Sequence, residues 1–519
     1  MLLSLSSELI SAIFEYVDCI TVIRCREVCS RLWDIISNDI SIQYRLELFA
    51  QNMVDCGPLS AGGITTAARL EALKSFKWTC TPKLNQEGVI DINLFPITGV
   101  QLDRSADIVE IRNFNAPAEE PLAEEGFYEP QEDEYWPRSH GVVFRARQVV
   151  LHFVQLPGLV RGIPLKKWTV DLGMSLGEFY VDSTQDLIVV IPPQVLGDRI
   201  KLHLRRMIDG AEHPLASVPD MTLMLAGHTY QSITIYERYI VVPQRPPGVT
   251  ILDWKLGKVV KRWLVPFYGY NFLDSRTFIC MIINRTHPQI PHFQIYDVTQ
   301  GNGSDHEFSP PTPILTLNCT PHPVSLTGSR LRFANAPSAP VVGTDPPFHS
   351  KPGGLIHFGL TWNDEDNKKT ALLFFTSVSH LLELVSKERK KNPNLGITET
   401  QILDVKSWPN CSRTSPGNSA LAESSTHGMR AIFSGPSGYF RDHWILDFND
   451  RPWRKDTQAQ HREDDTFPLK DFIAHNFPIP IVRKLSPRYC HNSIELVEDG
   501  MIGLLSWGSR YGNVAIMRT

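Results

Sequence analysis

The sequence predicts a multidomain α + all-β protein, in which a helical N-terminal part precedes a large β region. Apolar side chains follow a helical period over roughly the first 85 residues and a strand-like pattern from about Val89 onward. The chain contains 38 prolines, and because proline breaks helix interiors this number disfavours a largely helical fold. With 519 residues, 42% of them hydrophobic, the chain can build more than one sizeable core.

The net charge, the apolar runs and the cysteine content indicate which partners and which compartment to expect. The formal net charge is only −5, which gives no reason to expect a nucleic-acid partner. No apolar run reaches the roughly 18 residues of a membrane span, and Glu8, Glu15 and Asp18 make the apolar start a poor signal peptide. Nine cysteines cannot all pair, which favours a reducing compartment. The sequence therefore predicts a cytoplasmic or nuclear protein with no membrane partner.

Three short helices are predicted within residues 1–40. The first covers roughly residues 7–17, with Ser6 or Ser7 as its cap and Glu8 in its first turn. The second covers residues 21–27 with Thr21 as cap, and the third covers residues 28–36. The apolar stripe of the first helix consists of Leu9, Ile10, Ile13, Phe14 and Val17. So short a module has more apolar side chains than it can bury alone, which predicts a partner.

These residues resemble an F-box, the segment by which many proteins dock onto the Skp adaptor of cullin-based ubiquitin ligases. The pattern shared with that family is Leu5, Glu8, Leu9, Ile13, Phe14, Val17, Val28, Cys29, Leu32 and Trp33, in that order and spacing. The sequence departs from the family at Ser6, where a proline that commonly contacts the adaptor is usual. The resemblance covers less than a tenth of the chain and implies a Skp-type adaptor and, through it, a cullin as partners.

The resemblance also implies a set of adaptor-binding residues: Leu5, Ser6, Leu9, Ile13, Phe14, Val17, Val28, Leu32 and Trp33. The alternative is that these side chains form the core of a helical cap. For Leu5, Leu9, Ile13 and Phe14 the docking interpretation is favoured, because the module lacks the interior to hide them all. For Val28 and Leu32 a core position fits at least as well. Cys25 and Cys29 lack a second pair at zinc-finger spacing, so no metal site is predicted.

Residues 41–85 are predicted to form a helical linker. One amphipathic stretch covers residues 41–54 and stops at the breaker pair Gly57 and Pro58, and a second helix covers residues 65–76. This linker looks like the one seen in many fungal F-box proteins. Physically, it would tie the N-terminal module to the region that follows.

Residues 86–519 are predicted to form an irregular β-propeller-like domain. Short apolar runs flanked by turn-forming residues are predicted to be buried strands. These runs are residues 107–111, 187–191, 238–242, 277–283 and 371–375. A strand end, a polar turn and a glycine recur at Gly210, Gly257 and Gly301, spaced 47 and 44 residues apart, which is about the length of one propeller blade. The alternative is a pair of β-sandwiches. A strand near residues 89–92 or 100–102 is predicted to pair beside a C-terminal hairpin, closing the ring.

Four ranges are predicted to be loop insertions: 115–140, 334–354, 385–427 and 449–470. A short helix at residues 378–389 borders the third. The first range contains eight acidic residues and no basic residue between positions 115 and 137. It is interpreted as a solvated loop or, because it also contains Tyr128, Tyr135 and Trp136, as a docking segment for a basic partner.

The sequence contains none of the local catalytic, phosphate-binding or dinucleotide-binding motifs, so neither an enzyme nor a cofactor is predicted. The predicted function is that of a substrate-recognition subunit of an SCF-type ligase, with an unidentified target protein bound by the β domain. Two alternatives remain open. One is a β-propeller scaffold or regulatory protein that binds the adaptor without a role in ubiquitylation, and the other is a propeller hydrolase with a central cleft.

Overall fold

A computed structural model describes residues 4–57 and 64–75 and, between residues 89 and 518, the strands and most of the short turns. The longest ranges outside the described residues are 76–88, 114–141, 300–310, 334–345 and 449–471. The predicted acidic segment and the predicted insertion at 449–470 therefore lie outside the described residues.

The described N-terminal part contains α1 (Ser7–Glu15), α2 (Cys19–Arg26), α3 (Ser30–Asn38), α4 (Ile40–Gln51), β1 (Met53–Asp55) and α5 (Thr66–Ser75). The predicted helices are present, with small shifts at their ends. Asp18, not Thr21, caps α2, because its carboxylate accepts the Thr21 N–H at 2.9 Å and its hydroxyl at 2.7 Å. Asn52 ends α4 in the left-handed region with φ 56°, which an asparagine tolerates well.

The β region begins with β2 (Val89–Asn93) and continues as seven larger sheets among the described residues. Sheet I holds β3 (Val100–Ser105), β4 (Ile108–Asn113), β5 (Val142–Arg147), β6 (Val150–Gln155) and β7 (Lys166–Asp171). Sheet II holds β8 (Glu178–Asp182), β9 (Leu187–Ile191), β10 (Arg199–Arg206) and β11 (Asp220–Met224). Sheet III holds β12 (Thr229–Tyr230), β13 (Thr234–Tyr236), β14 (Tyr239–Arg245), β15 (Gly248–Asp253) and β16 (Lys258–Trp263).

Sheet IV holds β17 (Phe267–Phe272), β18 (Thr277–Ile282), β19 (His292–Asp297) and β20 (Leu315–Asn318). Sheet V holds β21 (Leu326–Phe333), β23 (Leu355–Asn363), β24 (Lys369–Ser377), β26 (Asn410–Pro416) and β30 (Phe472–His475). Sheet VI holds β27 (Ser424–His427), β28 (Arg430–Ser434), β29 (His443–Asp447) and β31 (Ile481–Lys484). Sheet VII holds β32 (Ser493–Val497), β33 (Gly500–Trp507) and β34 (Tyr511–Arg518), joined by β2. The remaining elements are β22 (Phe348–Ser350), α6 (Val378–Lys391), β25 (Gln401–Leu403), which adds to sheet IV, and a short 3-10 helix (Val405–Ser407).

Successive sheets pack face to face through shared hydrophobic cores. Four clusters of buried side chains join sheets I and II, II and III, III and IV, and IV and V. At the last of these contacts, Phe293 of β19 meets Phe358 of β23 edge to face, with ring centroids 4.9 Å apart. The first strands of some neighbouring sheets lie next to each other, as β17 does with β21 and β27 with β32. Sheets I to V therefore stack in chain order, with a hydrophobic core between each neighbouring pair.

The predicted repeat is present, since β10, β15 and β19 occupy the same place in sheets II, III and IV. Gly210 and Gly257 close the turns after two of these strands with φ of +75° and +65°, which L side chains rarely adopt. Gly301 lies outside the described residues. An arginine–aspartate pair recurs at the same register beside each turn: Asp186 with Arg206, Arg238 with Asp253, and Arg276 with Asp297. The exchange of charges in sheet II indicates that the position requires opposite charges rather than a particular residue.

The two ends of the β region share one sheet. β33 and β34 form the predicted hairpin, and β2 pairs antiparallel with β34, with Val89 opposite Met517 and Asn93 opposite Asn513. The prediction that a strand near residues 89–92 pairs beside the C-terminal hairpin is therefore confirmed.

The predicted insertion at 385–427 is wrong as a single loop. Its first part is the end of α6, whose predicted helix is confirmed and whose Leu381 and Val385 enter the core between sheets IV and V. β25 then adds to the edge of sheet IV in parallel with β20, and β26 pairs with β24 inside sheet V. Residues 410–427 contain five serines, yet β26 of this range lies between β24 and β30 within sheet V.

Candidate docking surface on the N-terminal helices

Helix α1 divides its apolar residues between the module core and the surface. Ile10 and Phe14 are buried, whereas Leu9 is 54% exposed and Ile13 is 39% exposed. Both pairs are spaced four apart, so they lie on adjacent stripes of one helix. The Ser6 hydroxyl accepts the N–H of Leu9 at 3.5 Å, which fixes where the helix begins. The exposed stripe of α1 is therefore held on an ordered helix.

The turn between α2 and α3 and the first turn of α3 also leave apolar side chains exposed. Val28 is 69% exposed and Trp33 is 45% exposed. The Arg26 guanidinium lies 3.7 Å from the centroid of the Trp33 ring, a cation–π contact that holds the indole in place. Val22 and Leu32 point inward instead and are buried.

A separate set of side chains forms the core of the module. Its buried members are Ile10, Phe14, Val22, Leu32, Ile36, Ile42 and Leu46. Because Ile42 and Leu46 belong to α4, the linker helix completes the core of the three-helix module. Arg45 of α4 reinforces this contact by donating to the carbonyls of Glu15 and Val17. The module and α4 are thus one packed unit.

The structure sorts the nine predicted docking residues into three groups. Leu9, Ile13, Val28 and Trp33 are exposed apolar side chains, and Ser6 is an exposed polar one. Leu5 and Val17 are half-buried and pack against the core. Phe14 and Leu32 are corrections to the predicted docking set, because both lie inside the core and neither can reach a partner without unfolding the module. For Val28 the alternative of a core position is wrong, because the side chain is exposed.

Sequence reasoning missed two exposed apolar residues at the end of α1 and in α2. Tyr16 is 91% exposed and Ile20 is about half exposed. Tyr16 follows Leu9 and Ile13 at helical spacing, so the same periodicity could have indicated it. Ile20 precedes the buried Val22 in α2 and carried no such signal.

The ends of the first two helices carry charges that the helices stabilise. The pKa of Glu8 is lowered by its backbone hydrogen bond and by a hydrogen bond with Ser6. The pKa of Asp18 is lowered by hydrogen bonds from the hydroxyl and the N–H of Thr21. Both carboxylates therefore remain ionised at the N-terminal ends of their helices.

The helical part is joined to the β domain by a small sheet. β1 pairs antiparallel with β22, with Val54 opposite His349. The Cys56 N–H donates to Pro347 O at 3.2 Å and the Lys351 N–H donates to Asn52 O at 2.8 Å. β22 falls within the predicted insertion at 334–354, so that segment is in part a strand that pairs with β1 of the linker.

A polar cluster is centred on Asp55 at the end of β1. The Asp55 carboxylate accepts the Tyr44 hydroxyl at 3.0 Å and pairs with the Arg69 guanidinium at 2.9 Å. Burial and the neighbouring Asp55 carboxylate raise the pKa of Tyr44, so its hydroxyl stays protonated as a donor. The cluster links α4, β1 and α5, and we refer to it together with the β1–β22 pair as the joint.

Three remaining features of the described residues concern metal ligands, membrane-spanning helices and a basic run at residues 387–391. Among the described residues, no group of three or more His, Cys, Asp or Glu side chains could hold a metal ion. In the same residues, no helix is long and apolar enough to cross a membrane. In the basic run at 387–391, Lys387 pairs with Glu383 at 2.9 Å and Lys391 pairs with Glu388 at 2.6 Å.

No family model matches the chain, and no curated protein matches its sequence. Among solved structures, a chain of the mitotic checkpoint complex is 10% identical, with 78% of this chain and 97% of that chain covered and a TM-score of 0.34. The C-terminal WD40 domain of Sif2 is 10% identical, with 82% and 99% covered and a TM-score of 0.30. BamB from Moraxella catarrhalis is 9% identical, with 73% and 92% covered and a TM-score of 0.29. With TM-scores below 0.5, these likenesses carry no argument about the fold of this chain.

Proposed function

We propose that this chain is a substrate-recognition subunit of an SCF-type cullin ubiquitin ligase. Its N-terminal helices would dock onto a Skp-type adaptor, and its β-propeller-like domain would bind a target protein. The observation that carries the proposal is the exposure of Leu9, Ile13, Val28 and Trp33 on a module whose core is already filled by other side chains. Exposed apolar side chains grouped on so small a module are typical of an interaction surface.

The joint supports the same proposal. An adaptor held at the N-terminal helices and a target held at the β domain must keep a defined separation if a ligase is to act on the target. The pairing of β1 with β22 and the ion pair of Asp55 with Arg69 provide such a connection. The chain would then act by raising the effective concentration of the target near the ubiquitin-charged enzyme, without making a bond itself.

The pairing of β2 with β34 adds a further element to the proposal. We take sheets I to VII as the blades of a closed seven-bladed ring in which the first strand of the β region completes the last blade. A closed ring protects sheet edges and provides a rigid support for target-binding loops.

The test is co-purification of the Skp adaptor with the full-length chain. The double variant Leu9→Asp with Ile13→Asp places two charges on the exposed stripe of α1 and is expected to abolish adaptor capture. The matched control is Leu215→Asp with Ile402→Asp, which adds the same charges at well-exposed apolar positions of the β domain and is expected to retain it. Undiminished capture by the first variant would refute the docking proposal.

The same purification separates the two remaining interpretations. Cullin recovered together with the adaptor is expected for a ligase subunit. Adaptor recovered without cullin would instead favour a scaffold or regulatory protein that binds the adaptor without a role in ubiquitylation.

A further inference from the structure

The basic residues of the N-terminal module are confined to one place. Residues 1–40 contain six acidic and three basic residues, and the three basic residues are Arg24, Arg26 and Arg31. Arg24 and Arg26 belong to the last turn of α2, and Arg31 belongs to the first turn of α3. Along the sequence they lie on both sides of the exposed Val28, which belongs to the turn between the two helices. We call Arg24, Arg26, Val28 and Trp33 the corner.

The arginines of the corner are not neutralised within the described part of the chain. No described carboxylate lies within ion-pair distance of Arg24 or Arg26, whereas Arg69, Arg206 and Arg276 each have an aspartate partner. Arg31 differs, because it donates to the carbonyl of Leu5 at 2.7 Å and so helps to hold the start of α1. The unmatched positive charge of the corner is that of Arg24 and Arg26.

The contact between Arg26 and Trp33 determines what this charge can do. The guanidinium stacks 3.7 Å from the ring centroid, and its Nε is covered without a hydrogen-bond partner. The terminal nitrogens are then the donors that remain for a carboxylate. A stacked guanidinium has a fixed plane, so less side-chain entropy is lost when it forms a bidentate pair. An apolar anchor and a preset cation are thus presented side by side.

We infer that the corner fits a protein surface that has an apolar pocket for Trp33 and Val28 and carboxylates at the rim of that pocket. The inference rests on the proposed function and deepens it, since it assigns this acidic rim to the adaptor. The exposed stripe of α1 and the corner then have separate roles. Leu9 and Ile13 contribute apolar contact, whereas the corner contributes orientation, because charge pairs at the rim of an interface fix register and speed association.

The experiment measures binding of the full-length chain to the purified Skp adaptor at low and at high salt. Wild-type affinity is expected to fall as salt rises, because salt screens the pairing of Arg24 and Arg26 with carboxylates. Arg26→Gln is expected to weaken binding about tenfold at low salt and to reduce the salt dependence. Arg26→Lys keeps the charge but loses the planar guanidinium, and its affinity is expected to lie between those of wild type and Arg26→Gln. Trp33→Ala is expected to weaken binding by roughly 30-fold or more, with little change in salt dependence.

Lys258→Gln, which removes an exposed charge from β16, is the matched control and is expected to change neither affinity nor salt dependence. Equal melting temperatures for wild type and Arg26→Gln exclude a folding defect. If Leu9→Asp with Ile13→Asp abolishes binding while Arg26→Gln and salt leave it unchanged, the inference fails and the proposed function stands. If none of these variants affects binding, both fail. Binding of the chain to phosphatidylserine vesicles, lost in Arg26→Gln, would also overturn the inference by identifying an anionic membrane as the occupant.

Discussion

The exposed side of the N-terminal module and the joint are two regions of one helical segment with opposite properties. At the joint, the backbone groups of β1 find partners in β22, and the Asp55 carboxylate is matched by Tyr44 and Arg69. On the exposed side, Leu9, Ile13, Val28 and Trp33 remain in contact with solvent. The polar groups of the joint find their partners within the chain, whereas the apolar side chains of the exposed side remain uncovered.

Exposure of apolar side chains on this module is not a sign of poor packing. The module has a filled core, capped helices and a firm attachment through α4, so its apolar surface is what remains after the internal contacts have been made. Apolar surface on a loosely packed segment would instead be expected to collapse onto its neighbours. Three comparisons between variants test this distinction.

The largest effect is expected from Phe14→Ala, compared with Leu9→Ala. Phe14 is buried among α1, α3 and α4, so its truncation leaves a cavity and should lower the free energy of unfolding of the module by about 3–5 kcal/mol. Leu9 is more than half exposed, and its truncation should change stability by less than about 0.5 kcal/mol. Hydrogen exchange of the α1 amides in the full chain measures both. Equal losses would mean that the two stripes are not distinct.

The division of α1 into core and surface could not be read from the sequence alone. Leu9, Ile10, Ile13 and Phe14 are all apolar, and they cover a wide arc of one helix. Burial of Ile10 and Phe14 is decided by α3 and by Ile42 and Leu46 of α4, which lie some 30 residues away. The helix itself, its cap at Ser6 and its first-turn Glu8 follow from local chemistry and were predictable.

The same contrast applies to the β region. Gly210 and Gly257, with the strands before them, carry a local repeat that predicts the sheets, and β2 was expected beside the C-terminal hairpin. The joint was not predictable, because β22 is only three residues long and its partner β1 lies about 300 residues earlier. Nothing in the proline-rich composition around β22 indicates a strand, and only the tertiary contact creates one.

A smaller effect is expected at the joint from Asp55→Ala. The Arg69 guanidinium is 6% exposed and would lose its carboxylate partner, and Tyr44 would lose its acceptor. Since the Asp55 side chain is itself 39% exposed, solvent partly replaces it, and the expected cost is about 1–3 kcal/mol. Faster hydrogen exchange at the amides of Cys56 and Lys351 would report the loosened joint, while those of α1 should be unaffected.

Asp55→Asn provides a matched comparison at the joint, because it keeps an acceptor for Tyr44 and removes only the charge. It is expected to lie between wild type and Asp55→Ala. If Asp55→Ala instead speeds exchange equally in α1 and at Cys56, the joint and the module unfold as one unit and the distinction between the two regions disappears.

The smallest effect is expected from Asp18→Ala in the module. The Asp18 carboxylate accepts two hydrogen bonds from Thr21, which hold its pKa below the ordinary value of 3.8. A carboxyl group whose pKa is lower in the folded state stabilises the fold above its ordinary pKa, and this stabilisation is lost as the pH falls through the folded value. Asp18→Ala should therefore destabilise α2 near pH 7 and converge with wild type below the lowered pKa of Asp18. Asp34→Ala, at an exposed aspartate of α3, is the control. A loss of stability in Asp18→Ala that is equally large at pH 7 and below the lowered pKa of Asp18 would show that the cap acts through packing rather than through its charge.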